Sequence, residues 1–194
     1  MTPPPSIDPE LARRIRVVVF DADGVLTDGG IYISDGTGEP YGSRRFDVRD
    51  GVGVHMLRRA GLTVAIVSAK LSAAVRARAE ELGMEEVHQV DPYDKLPTVE
   101  GILERAGASW DEVAFVADDI ADLAVLRQVA LPCAVPDGAT EVRDAATWVS
   151  SKPGGQGAVR EFAEALLGAR EEWTPLVEAY VAECEARWKA DRDG

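Results

Sequence analysis

Short, continuous apolar runs punctuate the chain at Val17–Phe20, Leu62–Val67, Val113–Val116 and Leu131–Val135. Runs of this length without alternation suit strands covered on both faces, as in a parallel sheet. Helical stretches lie between them. Gly51–Ala60 stops at Gly61, Leu71–Leu82 at Gly83 and Lys95–Ala106 at Gly107, glycine being the common residue just past a helix C-terminus. Ser109 with Glu112 three residues on has capping-box spacing, but the Val113 strand follows at once, so it opens only a short turn. Ile120–Gln128 predicts one more short helix, and the space between Ser68 and Lys95 holds about one further βα unit. Strand and helix alternate, which predicts an open α/β sheet.

One segment breaks this rhythm. Gly29 to Val48, "GGIYISDGTGEPYGSRRFDV", has alternating stretches around Asp35-Gly36, a strong turn signal that predicts a β-hairpin inserted between the first strand and first helix. A hairpin this long has edges to protect; a partner subunit would cover them, so an oligomer is expected. Near the other end, Pro175 is expected to divide a helical stretch into Val159–Glu172 and a second helix from Leu176. Trp173, Leu176, Tyr180, Cys184 and Trp188 are spaced as one apolar face, read as core or oligomer packing. The expected organisation is a flexible N-terminal tail over 1–15, one domain over 16–170 and a helical extension over 171–194.

At 194 residues and 46% hydrophobic, the chain can bury one substantial core. A net charge of −13 argues against nucleic acid or an anionic membrane as partner. Cys133 and Cys184 lack Cys-x-x-Cys spacing and read as free thiols of a reducing compartment. The first ten residues, "MTPPPSIDPE", have neither the basic nor the apolar region of a secretory signal. No apolar run approaches the roughly 20 residues that span a bilayer. A cytoplasmic protein is expected.

Ligands of open α/β sheets bind outside the carboxyl ends of the strands, and the acidic residues fall there. Asp21 follows the first strand, with Asp23 two residues on; Ser68 follows the second; Asp118 and Asp119 follow the third, and Asp122 lies close behind. Carboxylates gathered in this way repel one another unless a cation neutralises them. A set of hard oxygen donors without histidine or cysteine points to Mg²⁺. On an extended segment Asp21 and Asp23 would face opposite ways, but a turn at Gly24 could bring both to one substrate, one as nucleophile and the other as general acid.

"FDADGVLTD" resembles the first motif of the haloacid dehalogenase superfamily of phosphatases, which have a Rossmann-like fold. "IVSAK" sits where that family has its Ser/Thr motif, "DKL" supplies the lysine of the third, and "VADDIAD" matches the acidic fourth. Each alone is commonplace; the four in order, each beside a predicted strand end or helix start, are specific. The resemblance covers roughly 16–160. It implies that Asp21 is the nucleophile and Asp23 the general acid and base, and that Ser68 and Lys95 bind the phosphoryl group. It also implies that Asp21, the Asp23 carbonyl and Asp118 hold Mg²⁺, with Asp119 and Asp122 orienting Lys95 or metal-bound water.

No cap domain fits between these motifs. "DGVLTDGGIYISDGTGE", "RRFDVRDGVGVHMLRRAGLTVAIVS" and "KPGGQGAVREFAEALL" resemble the capless 3-deoxy-D-manno-octulosonate 8-phosphate (KDO 8-phosphate) phosphatases and their relatives acting on nine-carbon acids. That resemblance implies a homotetramer joined through the hairpins, with a neighbour closing each site. It places Gly24, Arg49, Asp50 and Gly51 at the substrate, with Lys70 in the second motif, and lets the Gly154–Gly157 loop reach a neighbour's site. The chain departs from the pattern at Ser68-Ala69-Lys70, where an arginine is usual, and at Gln156. Lysine and arginine differ in carboxylate recognition. Hydrolysis of a different phosphorylated sugar, or a non-catalytic assembly role, are the rival readings.

Overall fold

A computed structural model describes residues 6–32 and 43–193. Its centre is a six-stranded sheet built from β1 (Val17–Phe20), β2 (Thr63–Ser68), β3 (Glu86–Gln89), β4 (Val113–Ala117), β5 (Leu131–Ala134) and β6 (Trp148–Val149). The strand order is β3-β2-β1-β4-β5-β6, and every pairing is parallel. The central β1 pairs Val17 with Thr63 on one side and with Val113 on the other. All carboxyl ends therefore face one edge, as the alternation of elements predicts.

The period of two along a strand divides its side chains between two cores. Val18 and Phe20 join the core covered by α1 (Pro9–Arg14), α2 (Val48–Arg59), α3 (Ala73–Glu81) and, later in the chain, α7 (Ala158–Ala169). Val17 and Val19 join the opposite core under α4 (Lys95–Ala106), α5 (Leu123–Leu126) and α6 (Thr140–Ala145). Phe162 of α7 meets Phe20 and Trp148 edge-on, at centroid distances of 6.0 and 5.5 Å, a favoured aromatic geometry. Beyond α7, α8 (Trp173–Asp193) places Trp173, Leu176 and Val177 against the first core, while Tyr180, Val181 and Trp188 are exposed.

Several expectations need correcting. The expected flexible N-terminal tail contains α1, capped by Asp8, with Ile7, Ala12 and Ile15 buried. Pro175 does not divide the C-terminal helices. It lies in the first turn of α8, where a missing N–H costs nothing, and the break falls before Trp173, beside Glu171 at φ 62°. Helix α2 starts at Val48 because Asp47 caps the Arg49 N–H at 2.8 Å. The stretch from Ile120 is a single tight turn followed by α5. β3 and β6 lacked a hydrophobic signature: β3 is half-buried at the sheet edge with one aliphatic residue, Val87, and β6 has two residues. The Ser109 turn forms as expected, the Ser109 N–H donating to Glu112 at 3.0 Å. The tip of the expected hairpin, 33–42, lies outside the described residues. Antiparallel bridges Thr27–Phe46 and Tyr32–Ser43 join the two limbs that lead to it. Among the described residues no helix is long and apolar enough to cross a membrane.

Candidate active site

Asp21 leaves β1 with its N–H bonded to the Val116 carbonyl at 3.0 Å. The chain then turns through Gly24 at φ 93°, a conformation open to glycine because it lacks a Cβ. A Cβ there would lie 2.0 Å from Asp118 Oδ2, so Gly24 also admits the carboxylate from β4. Thr27 Oγ1 accepts the N–H groups of Gly24 and Gly29 at 3.3 and 3.2 Å, which closes the turn. From outside, Gly154 sits so tightly that a Cβ would fall 1.7 Å from the Gly24 carbonyl oxygen. The adjacent Gly155 N–H donates to the Val25 carbonyl at 2.9 Å. The glycine loop thus braces its own chain's site.

Lys95 opens α4 and is 2% exposed. Its Nζ donates to Asp21 Oδ1 at 2.9 Å and to Asp122 Oδ1 at 2.5 Å. Burial alone would lower its pKa, but the charges of Asp21 and Asp122 outweigh this and raise it, so the ammonium is retained. Asp21, Asp118 and Asp122 each offer an oxygen within 4.8 Å of the others. Burial, reinforced by Asp21 and Asp122, lifts Asp118 to about 8. Burial and Asp21 lift Asp122 to about 7 against the pull of Lys95, and burial raises Asp21 as well. One lysine does not balance three carboxylates, two of them buried and that of Asp118 half-buried. Asp118 Oδ1 is buried without a hydrogen-bond partner, which normally signals a missing ion or water. An all-oxygen donor set with such an orphan fits Mg²⁺.

These groups line a cavity of about 420 Å³ together with Asp23, Ser68 and Lys70. Ser68 ends β2 and is buried, its Oγ accepting the Lys70 N–H at 3.4 Å. The sequence-predicted set Asp21, Asp23, Gly24, Ser68, Lys70, Lys95 and Asp118 is therefore brought together. Asp119 is at the rim, exposed, with Oδ1 accepting the Ile120 N–H at 2.7 Å. Of Asp119 and Asp122, both expected to orient Lys95 or metal-bound water, Asp122 is the one that bonds the lysine.

Arg49, Asp50 and Gly51, expected on the sugar side of the pocket, do not line this cavity in the single chain. The Arg49 guanidinium donates to Asp47 Oδ1 and Oδ2 at 3.0 and 2.8 Å and to the Gln156 carbonyl at 3.0 Å. Asp50 is buried, accepts the Arg160 N–H at 2.8 Å at the start of α7, and is pushed up to about 6 by burial. Gly51 packs against the Arg78 guanidinium.

Sequence reasoning missed Arg44. Its fully buried guanidinium donates from Nε to Asp23 Oδ1 at 2.6 Å and from Nη2 to Asp23 Oδ2 at 3.4 Å. In "SRRFD" the two arginines are equivalent, and only the register of the Thr27–Phe46 bridge separates them. Arg45 instead donates to the Gly155 carbonyl at 2.7 Å.

A parallel sheet whose strand ends gather three carboxylates, a serine and a buried lysine over one cavity, with no cap domain inserted after β2, defines an aspartate-based phosphoryl-transfer enzyme of the haloacid dehalogenase type. No family model matches the chain. It is 35% identical over 159 residues to the KDO 8-phosphate phosphatase of Escherichia coli, a span covering 82% of each chain. The phosphatase of that name from Moraxella catarrhalis, solved with magnesium ion, phosphate ion and KDO, matches with a TM-score of 0.82 and 33% identity over 89% of this chain and 97% of that one. The cobalt-bound form of the Haemophilus influenzae enzyme matches with a TM-score of 0.78 and 32% identity, over 83% of this chain and 92% of that one. The chain belongs to the KDO 8-phosphate phosphatase family of the haloacid dehalogenase superfamily.

Proposed function

We propose that the protein is a Mg²⁺-dependent phosphatase that hydrolyses the phosphate monoester of a sugar acid of the KDO 8-phosphate kind. The observation that carries this reading is the Asp21–Lys95–Asp122 chain of charged hydrogen bonds beside the orphaned Asp118 oxygen. Asp21 attacks phosphorus, its O–P bond forming as the ester P–O bond breaks, and an aspartyl phosphate results. Asp23 delivers a proton to the leaving alkoxide. It then takes one from the water that attacks phosphorus, which frees inorganic phosphate and restores Asp21. Ser68 and the Lys95 ammonium hold phosphoryl oxygens, and Lys95 keeps Asp21 oriented. Asp21, Asp118 and the Asp23 carbonyl would hold Mg²⁺, which when bound offsets the charge that otherwise keeps an anionic nucleophile from an anionic ester.

Purified protein should release phosphate from KDO 8-phosphate with Mg²⁺ and not with chelator, and Asp21→Asn should abolish release. An inert KDO 8-phosphate beside rapid turnover of another phosphorylated sugar would move the substrate. The Ser68-Ala69-Lys70 departure makes that panel necessary, since Lys70 lines the cavity.

The homotetramer belongs to the same reading. Ile31, Tyr32, Leu71, Tyr93 and Ile120 are exposed, and Ile31 lines the cavity itself. A neighbouring chain covering them would remove apolar surface from water. The free thiols Cys133 and Cys184 support a cytoplasmic setting. Light scattering that returned a monomer at catalytic concentrations would reject the assembly.

A further inference from the structure

Asp23 is the group asked to give and take a proton, yet its backbone turn alone does not fix its side chain. A carboxylate at the mouth of a cavity, with 22% of its side chain exposed, can rotate among several rotamers. Two contacts hold it. Thr27 Oγ1 lies 3.4 Å from Asp23 Oδ1. Arg44 supplies the other, a two-pronged contact at 2.6 and 3.4 Å from a guanidinium with no solvent exposure. Arg44 comes from the returning limb of the excursion that follows β1 and reaches Asp23 across 21 residues of sequence. A planar guanidinium sets the plane and the direction of a carboxylate in a way that a point charge cannot.

The geometry points to Arg44 as the positioning residue for Asp23: it holds the proton-transferring carboxylate in one orientation over the cavity, so that transfer to the leaving oxygen needs no search. This rests on the phosphatase reading above and adds to it a residue that does not itself touch the reacting atoms. The burial of Arg44 argues against a surface role. Its placement means that the returning limb from Ser43 helps to order the site even before a second chain is considered. Arg45, one residue on, serves as an internal contrast, because its guanidinium braces the glycine loop and not Asp23.

Leaving-group dependence separates positioning from mere support of the fold. An alkyl phosphate needs a proton on its departing oxygen; dinitrophenyl phosphate departs as a stable anion and needs almost none. Full-length Arg44→Met, with Mg²⁺, is expected to lose about 100-fold in kcat on a sugar phosphate, the scale of positioned acid catalysis, with KM moving less than about threefold. On dinitrophenyl phosphate it should keep within about threefold its kcat/KM, which reports only the steps through aspartyl-phosphate formation and not the later attack of water that Asp23 also assists, and Arg44→Lys should recover part of the sugar-phosphate rate. In an Asp23→Asn background, Arg44→Met should cost nothing further on the sugar phosphate, because residues acting as a unit are not additive. If Arg44→Met does not fold, Arg44→Lys carries the same two-substrate comparison. Equal losses on both esters, or full additivity with Asp23→Asn, would overturn the assignment. Lack of Mg²⁺-dependent turnover of either ester by the unaltered chain would overturn the phosphatase reading itself, and this inference with it. Turnover by the unaltered chain with equal losses in the variant would overturn this inference alone.

Discussion

Binding of Mg²⁺ should expel a proton, and the structure sets how strongly. Without an ion, burial and the neighbouring carboxylates hold Asp118 at about 8, so at neutral pH it is largely protonated and cannot serve as an anionic ligand. At pH 6 about 1% of such a group is ionised and at pH 8 about half. The apparent Kd for Mg²⁺ should therefore tighten about 50-fold over that range, or about 2 kcal/mol. Asp122, at about 7, titrates in the same window and is coupled to Asp118 through Asp21 and Lys95, so the two share the proton loss. The perturbation is pH alone, applied to the full-length, ion-free protein. Titration calorimetry at pH 7 in two buffers of unlike ionisation enthalpy reads the result, as about one proton released per ion. A Kd that stays flat from pH 6 to 8, with heats independent of buffer, would refute the reasoning. The carboxylates would then be ionised already, and their burial beside one another would not control the site.

The same raised carboxylates act on stability. A folded-state pKa above the unfolded value means that the fold binds extra protons, and that contribution is lost as pH climbs through about 4 toward about 8. Thermal melts of the ion-free protein should show about 2 kcal/mol less stability at pH 8 than at pH 6, with saturating Mg²⁺ flattening the trend; a melting temperature that rises with pH over this window would contradict it. Gly24→Ala places a methyl group on the Asp118 carboxylate in a left-handed backbone and should lose activity and about 1–3 kcal/mol of stability. A variant with normal turnover would show that the close approach is dispensable. Lys95→Met leaves Asp21 and Asp122 without their shared cation. It should abolish turnover and, at pH 8, cost about 3–5 kcal/mol, less at pH 5 where the carboxylates take up protons; a loss independent of pH would count against the charge argument.

What could be read without coordinates followed from local rules. The runs at Val17, Leu62, Val113 and Leu131 became four of the strands because a strand buried on both faces must be apolar throughout. Asp21, Ser68 and Asp118 fell at one edge because parallel strands share a direction. Their order along the chain was enough to name the chemistry. Tertiary structure decided what depends on contacts between distant segments. Edge strand β3 is half-buried and carries little hydrophobic signal, so it emerged only through pairing with β2. Arg44 and Arg45 are indistinguishable as letters; the pleat of the returning limb sent one to Asp23 and the other to the glycine loop. Asp50 looked like a pocket residue and proved to anchor α7. Asp122, not Asp119, holds Lys95 because a tight turn after β4 points one carboxylate inward and leaves the other at the rim. Sequence determines which groups arrive at the sheet edge, since strand direction and periodicity are local properties. Which of them touch is set by packing between elements many residues apart, and no local pattern encodes that.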